Sequence, residues 1–411
     1  MSRSGSRGGR AKSGRANPGR VAAVRVLVAV EEGQHAEQML AELAPPEGPD
    51  RGLAWNLVLG VLRWRGSLDA LLEPRLSQGV SGLDPTVRAV LRAGLFDALL
   101  TRTPPHAAVH QAVEVAREVG AVRASRLVNA VLRRSSSEAI SGDPWLDLPP
   151  WLAARWSDWG SWVEKLREPP TISVVMRGEV PAELVCEPAV IDGAPLEGVY
   201  TLGARQGRLE SLPGYEDGAW WVMDPAAVAV ADFTLRHTRD GGRVLDACAA
   251  PGGKALRLSS RGCDVVVVDQ SARRLSLLRA NAQRLCMAFE AHVHQWGAAS
   301  SPDIGQFSTV LVDAPCTGLG TVRRHPEIRW RCMKSDPAAM GIRQAGILQA
   351  ASTHVEPGGV LIYAVCSPEP EEGPDVVARL EGWKVIDRWA SVPPAGDEDA
   401  HQVFALRRED D

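Results

Sequence analysis

Apolar residues recur at helical spacing through the first third of the chain. The stretches VAAVRVLVAV and RGLAWNLVLGVLRW each present one apolar face on a 3.6-residue repeat. Asp84-Pro85 predicts a helix start, an N-cap followed by proline at the first helical position, and Val87, Val90, Leu91, Leu95 and Leu99 then share a face. HAAVHQAVEVAREVG and SRLVNAVLRR predict two further helices. Residues 20–138 are therefore expected to form an all-helical domain.

The pattern weakens over residues 139–215, which are rich in Pro and Trp and are expected to form a small α+β middle or linker subdomain. Trp145, Trp151, Trp156, Trp159 and Trp162 fall here. Tryptophan can stack on bases, but at these spacings anchoring helices against a core is the expected role. From residue 216 strand and helix alternate. GGRVLDAC, DVVVVDQ, EAHVHQW, STVLVDAP, GGVLIYAVCS and HQVFALRR read as strands. KALRLSSRG, SARRLSLLRANAQRL and PAAMGIRQAGILQAASTHV read as helices between them. Such alternation predicts an α/β, Rossmann-like domain over 216–411, with a mostly parallel sheet covered on both faces. Ligands then bind beyond the C-terminal strand ends.

Composition narrows the class. A length of 411 residues fits two or three domains, and 45% hydrophobic with 23% charged residues is ordinary for soluble globular protein. No apolar run approaches the roughly 20 residues that span a bilayer, so no membrane role is expected. Seven cysteines lie far apart with no C-x-x-C pair, which argues against a metal site and a disulfide framework and suits a reducing cytoplasm. The net charge of −4 is unevenly placed, since residues 1–30 carry seven Arg and Lys and no acid. Residues 1–19 are expected to be a disordered basic tail, either an arm for phosphates or a plain solubilising segment. Arg123, Arg126, Arg133 and Arg134 could form a basic patch, though a solvated helix face is the simpler expectation.

Three motifs carry candidate chemistry. Asp246-Ala247-Cys248-Ala249-Ala250-Pro251-Gly252-Gly253-Lys254 follows a strand and opens a helix. Small residues let backbone approach a ligand, and the helix start offers free N–H groups. It is neither a G-x-G-x-x-G nor a Walker loop. The next strand ends in Asp269, whose carboxylate can accept hydrogen bonds from ribose hydroxyls. Strand, glycine turn, helix, strand and acid together indicate a nucleoside cofactor. Asp313-Ala314-Pro315-Cys316 and Ala364-Val365-Cys366-Ser367 close two later strands, so both thiols can face one cleft. A lone buried cysteine is usually an inert small hydrophobe; two at neighbouring strand ends beside a nucleoside site are not so readily dismissed.

One reaction suits this set. Carbon C5 of cytosine is a poor nucleophile until a thiolate adds to C6 and turns the ring into an enamine, whose C5 can take a methyl group from a sulfonium donor. An acid near N3 neutralises charge on the ring, and Asp313 is placed for that. A second cysteine can assist release. The thiolate needs an electropositive setting, which Lys254 and the helix start could supply.

The motifs VLDACAAPGGK, VDAPCTGLGTVRRHPEIRW and LIYAVCSPEPEEG resemble those of the RsmB/Sun family of ribosomal RNA cytosine-C5 methyltransferases. LPGYEDG with Asp224 resembles the entry into the family's catalytic domain, and ALLTRTPPHAAVHQAVEVA and LVNAVLRR resemble its NusB-like RNA-binding domain. The resemblance covers roughly residues 20–411. It implies S-adenosylmethionine as cofactor, held by Cys248 through Lys254 and by Asp269, with Asp313 at the junction of cofactor and base. It implies Cys366 as nucleophile, Cys316 as the release residue, and catalytic parts for Asp313 and Lys254. Arg323, Arg324 and His325 are placed to approach RNA. The implied partner is small-subunit (16S) ribosomal RNA rather than DNA, bound by a monomer in the cytoplasm.

The chain departs from the family at several places. Gly297, in Gln295-Trp296-Gly297-Ala298, stands where the family has an acid facing the cofactor adenine, and Trp296 either stacks on that ring or packs. Met223 and Val365 replace the usual Gln and Thr, and no Arg-x-Asn segment is evident in TISVVMRGEV. The alternative reading is a non-catalytic RNA-binding assembly or antitermination factor whose methyltransferase domain has degenerated.

Overall fold

A computed structural model describes residues 15–203, 208–297 and 302–409. It divides into two compact units. One runs up to Ser157 and also includes His325–Arg331; the other holds Asp158–Arg324 and resumes at Cys332. Among the described residues no helix is long and apolar enough to cross a membrane.

The first unit is helical, with its longer helices at Pro18–Glu31, Pro49–Arg63, Pro85–Leu100, Pro105–Glu118 and Ser125–Ser135. The first begins at Pro18 because the Asn17 side chain caps it by accepting the Arg20 N–H. Helix thus extends into the end of the stretch expected to be disordered, whose first fourteen residues lie outside the described residues. Asp84 caps Pro85–Leu100 as its sequence suggests, accepting the Thr86 N–H at 2.9 Å. Val87, Val90, Leu91 and Leu95 are buried on one face of that helix. Gly60 lets Pro49–Arg63 press against it, since a Cβ there would sit 2.0 Å from the Phe96 ring. Arg123, Arg126, Arg133 and Arg134 are all exposed. The inserted segment carries a short helix, Ile328–Arg331. Its buried Arg329 donates to the Asp147 carbonyl at 3.2 Å, and the Trp330 indole donates to the Leu62 carbonyl at 2.7 Å.

The second unit contains two sheets. The smaller is antiparallel, with strands β1 (Ser173–Met176), β2 (Cys186–Ile191), β3 (Ala194–Leu202) and β4 (Trp220–Val222) in the order β2-β3-β1-β4. The expected α+β character is met, but the individual strands were not placed, because β2 is half exposed and holds Pro188, and β1 and β4 are very short. Of the tryptophans, Trp156 and Trp162 are fully buried, in keeping with an anchoring role.

The larger sheet has strands β5 (Arg243–Asp246), β6 (Asp264–Asp269), β7 (Glu290–Val293), β8 (Phe307–Asp313), β9 (Val355–Val365), β10 (Trp383–Ala390) and β11 (Gln402–Arg408). Their order is β10-β11-β9-β8-β5-β6-β7. The five strands β7, β6, β5, β8 and β9 run parallel, and β11 and β10 complete the edge antiparallel. Alternate side chains feed different cores: Val266 and Val268 enter one apolar cluster, Val265 and Val267 the other. Burial on both faces explains the unbroken run of valines in β6. Strand β10 escaped the sequence pattern because it is an exposed edge, bulged between Val385 and Asp387. Because β5 pairs with β6 on one side and β8 on the other, the order of strand addition reverses at β5 and leaves a crevice at its C-terminal end.

Candidate active site

The crevice is lined by the ends of β5, β6, β8 and β9. Strand β5 ends in Asp246 and passes through Cys248–Gly252 into the helix Gly253–Ser260. Two bonds hold this loop against β6: the Ala249 N–H donates to the Val268 carbonyl at 2.9 Å, and the Ala250 N–H to Asp269 Oδ2 at 3.2 Å. Asp269 also accepts the Ser271 N–H, at 2.8 Å. Gly252 has φ +112°, and a Cβ there would lie 2.6 Å from Leu278 Cγ, so only glycine closes the turn.

Asp246 is fully buried, and neither carboxylate oxygen has a hydrogen bond of good geometry. Burial, reinforced by the charge of Asp313, pushes it up to about 7; Lys254 and the Cys248 N–H oppose the rise only in part. Lys254 Nζ donates to Asp313 Oδ2 at 2.7 Å. Burial alone would lower Lys254, but Asp313 overrides it and holds the ammonium above its ordinary value.

The two cysteines meet. Cys316 Sγ and Cys366 Sγ are 3.2 Å apart at the ends of β8 and β9. The hydrogen bond with Cys366 and burial push Cys316 above the usual thiol range, and the charges of Cys366 and Glu372 add to the rise. Glu372 accepts the Thr317 N–H at 2.7 Å and the Thr317 hydroxyl at 2.5 Å. The Ser367 hydroxyl and Gln344 Nε2 also donate to it. Gln344 Nε2 reaches the Pro315 carbonyl as well, at 3.0 Å.

Trp296 packs. It is buried, its ring meets His294 and His354 edge-on, and its indole N–H donates to the Ala247 carbonyl at 2.5 Å. Gly297 beside it has φ +84°, and among the described residues nothing lies within 4 Å of an added Cβ. Of the three residues expected to approach RNA, Arg323 is buried, while Arg324 and His325 are partly exposed. Arg323 is bonded to Asp397 at 2.7 Å, and Arg324 bonds Asp399 at 2.8 Å and also Asp224. His325 lies 3.8 Å from Glu37. The two arginines tie loops together, a use that the sequence of basic residues does not reveal.

The crevice therefore gathers Cys248–Lys254, Asp269, Asp313, Cys316 and Cys366. Sequence reasoning gave no part to Asp246, Thr317, Gln344, Ser367 or Glu372. Asp246, Thr317, Ser367 and Glu372 stood in the motifs without a role of their own, and Gln344, in a helix outside them, carried no signal. Among the described residues no cluster of His, Cys, Asp and Glu could hold a metal ion.

Fold and site define a Rossmann-like methyltransferase joined to a NusB-like helical unit. The profile of the family described as 16S rRNA methyltransferase RsmB/F matches residues 233–387, and that of the NusB family matches residues 17–137. Ribosomal RNA small subunit methyltransferase B of Pseudomonas syringae pv. tomato is 33% identical over 94% of this chain and 92% of its own length. Its counterpart in Shigella sonnei is 34% identical over 86% and 87%. The chain belongs to the ribosomal RNA small subunit methyltransferase B family. Two solved structures share the fold. The crystal structure of PH0851 superposes with a TM-score of 0.76 at 18% identity, over 95% of this chain and 99% of that one. NSun6 from Pyrococcus horikoshii with SFG gives 0.54 at 17%, over 64% and 99%.

Proposed function

We propose that this chain methylates carbon C5 of a cytosine in small-subunit ribosomal RNA, using S-adenosylmethionine and a covalent bond between Cys366 and C6 of the base. The observation that carries this reading is the 3.2 Å approach of Cys316 and Cys366 at adjacent strand ends, beside the Lys254–Asp313 pair. The helical unit, 20–138, is the part assigned to RNA binding.

The crevice fits the cofactor. Asp246 offers a buried carboxylate without a good partner, suited to the cofactor's ammonium group. Gly252 closes the turn tightly against Leu278, which sets the course of the loop that opens the helix Gly253–Ser260. Asp269 retains lone pairs for ribose hydroxyls beyond the two N–H groups it already accepts. Bound there, S-adenosylmethionine supplies an electrophilic methyl group.

The chain's own residues prepare the base. Cys366, as thiolate, forms the bond to C6, and the displaced ring electrons make C5 nucleophilic. Lys254, fixed by Asp313, sets an ammonium where negative charge develops on the ring. Once C5 is methylated its proton passes to a water molecule, the C5–H electron pair restores the C5–C6 double bond, and Cys366 leaves as thiolate. Cys316 lies beside Cys366 and is placed to assist the elimination.

The test is a pair of variants assayed on small-subunit ribosomal RNA and on assembled particles. Cys366→Ala is expected to reduce methyl transfer by at least ~10³-fold with cofactor binding intact by calorimetry; turnover near the parental rate would sink the assignment. Cys316→Ser should accumulate a protein–RNA adduct, seen as a slow band on a denaturing gel. Persistent turnover without adduct removes Cys316 from release. The absent acid at Gly297 favours a second reading, an RNA-binding assembly factor. A folded chain that gives no heat with S-adenosylmethionine would decide for it.

A further inference from the structure

Methyl transfer needs Cys316 and Cys366 as separate thiols, yet the fold holds their sulfurs 3.2 Å apart. Ties on both sides of the pair maintain that spacing. Before the cysteines, the Ala314 N–H donates to the Ala364 carbonyl at 2.9 Å. After Cys316, the Gly320 N–H donates to the carbonyl of Cys366 itself at 3.1 Å. A Cβ at Gly320 would sit 2.1 Å from the Ala400 carbonyl oxygen and 2.9 Å from that of Cys366, so this loop is seated directly on the end of β9. Glu372 adds a third tie. It accepts the hydroxyls of Thr317 and Ser367, the residues that follow the two cysteines.

The two thiols therefore adjoin because three separate contacts fasten their loops. A disulfide bond is about 2 Å long, so closing the gap asks for roughly 1 Å of movement, within reach of small side-chain rotations. Both residues are partly exposed in the crevice, which opens them to a small solute. No other pair among the described cysteines is bonded, and Cys286 is the exposed thiol.

We propose that Cys316 and Cys366 are also a reversible oxidation site: hydrogen peroxide joins them as a disulfide, which withdraws both thiols from catalysis, and a thiol reductant restores them. One sulfur, as thiolate, attacks a peroxide oxygen. The O–O bond breaks, hydroxide leaves, and that cysteine becomes a sulfenic acid. The second sulfur, giving up its proton, attacks the sulfenic sulfur; the S–S bond forms and the sulfenic oxygen leaves as hydroxide. The two sulfurs lose two electrons, the peroxide gains them, and with the two thiol protons the two hydroxides become two waters. The product is the same whichever sulfur is oxidised first. Pairing also halts oxidation at a reversible stage, because an unpaired sulfenic acid goes on to acids that thiols do not reduce. The consequence for activity rests on the methyl-transfer reading; the bond itself is read from mass alone.

The experiment treats the full-length chain with a small molar excess of hydrogen peroxide, blocks remaining thiols with iodoacetamide, and digests with chymotrypsin without reduction. Phe289, Trp296 and Phe307 offer cuts between Cys286 and Cys316, so mass spectrometry reads those thiols separately. The expected product is a peptide pair joined through Cys316 and Cys366, lighter by two hydrogen atoms and undone by dithiothreitol. It should form at least ~10-fold faster than any cross-link through the exposed Cys286, because the two sulfurs already adjoin. The cross-linked chain should lose methyl transfer by at least ~10²-fold, keep S-adenosylmethionine affinity within about threefold, and recover with dithiothreitol. Oxidation of Cys286 while Cys316 and Cys366 stay free, or end as separate sulfenic or sulfinic acids, would overturn the proposal and leave the proposed function untouched. Turnover by the fully cross-linked chain would overturn it too, and would remove Cys366 as nucleophile. A chain that cross-links as expected but transfers no methyl group when reduced counts against the proposed function and upholds the oxidation site.

Discussion

The two halves of the crevice are finished to different degrees. At the ends of β8 and β9 the polar side chains are tied to one another: Asp313 with Lys254, Thr317 and Ser367 with Glu372, and Cys316 with Cys366. At the ends of β5 and β7 the opposite holds. Asp246 has a buried carboxylate without a good partner, and Gly297 leaves open space where a side chain could reach. The thiol half is set before any ligand arrives, and on the proposed reading the cofactor half is completed by one. Preorganisation is valuable where bonds are made and broken, because groups need not reorganise at the moment of reaction. Where a ligand only has to bind, an unsatisfied group adds to affinity once its partner is supplied.

Asp246→Asn should break this contrast with the largest effect. Losing the charge-assisted bond to an ammonium group should weaken S-adenosylmethionine binding roughly ten- to hundredfold. The pH behaviour follows from the raised carboxyl, which is neutral in the folded chain up to about 7. Its neutral form favours folding below the ordinary carboxylate range, and that contribution is lost as pH rises toward 7. The ligand-free variant should therefore melt higher than the parent at pH 8 and show no such advantage at pH 4. Cofactor affinity of the parent should rise through pH 7 and that of the variant should stay flat, by calorimetry. A variant that binds as the parent does at pH 8 would show Asp246 to be an incidental buried charge.

Gly297→Asp sharpens the comparison from the other side. The added side chain meets open space, at a backbone cost of ~1 kcal/mol for the left-handed conformation, which aspartate tolerates better than most. Affinity for S-adenosylmethionine should rise about three- to tenfold, a gain of roughly 1 kcal/mol. Unchanged affinity would mean that the turn does not face the adenine. Trp296→Phe should act least. It removes the indole donor to the Ala247 carbonyl and should lower stability by about 1 kcal/mol, seen in denaturant titration. Weakening of cofactor binding should stay within about threefold.

What the sequence made legible was whatever depends on period and on local motif. The buried valines of β6, the Asp84-Pro85 helix start, the glycine turn and both cysteines stand where their patterns placed them. Roles set by distant partners were not legible. Glu372 is one acid in Pro-Glu-Pro-Glu-Glu-Gly and looks like surface charge, yet it is buried while Pro370 before it is exposed. Arg323 and Arg324 look like RNA contacts by composition, but Asp397, Asp399 and Asp224, far away in the chain, claim them. Strand β10 lacks the burial that gives a strand its period, and in the small sheet β1 is buried throughout but only four residues long.

The membership of His325–Arg331 in the helical unit has a consequence for the order in which the protein is made. A ribosome that has finished residue 157 has released most of that unit but not the helix whose Arg329 and Trp330 reach the carbonyls of Asp147 and Leu62. Those two acceptors wait while strands β1 to β8 are synthesised. The helical unit is thus among the first parts begun and reaches its final form only after most of the parallel sheet exists. Cutting the chain once, after residue 157, would yield a piece that lacks the last fragment of its own structure.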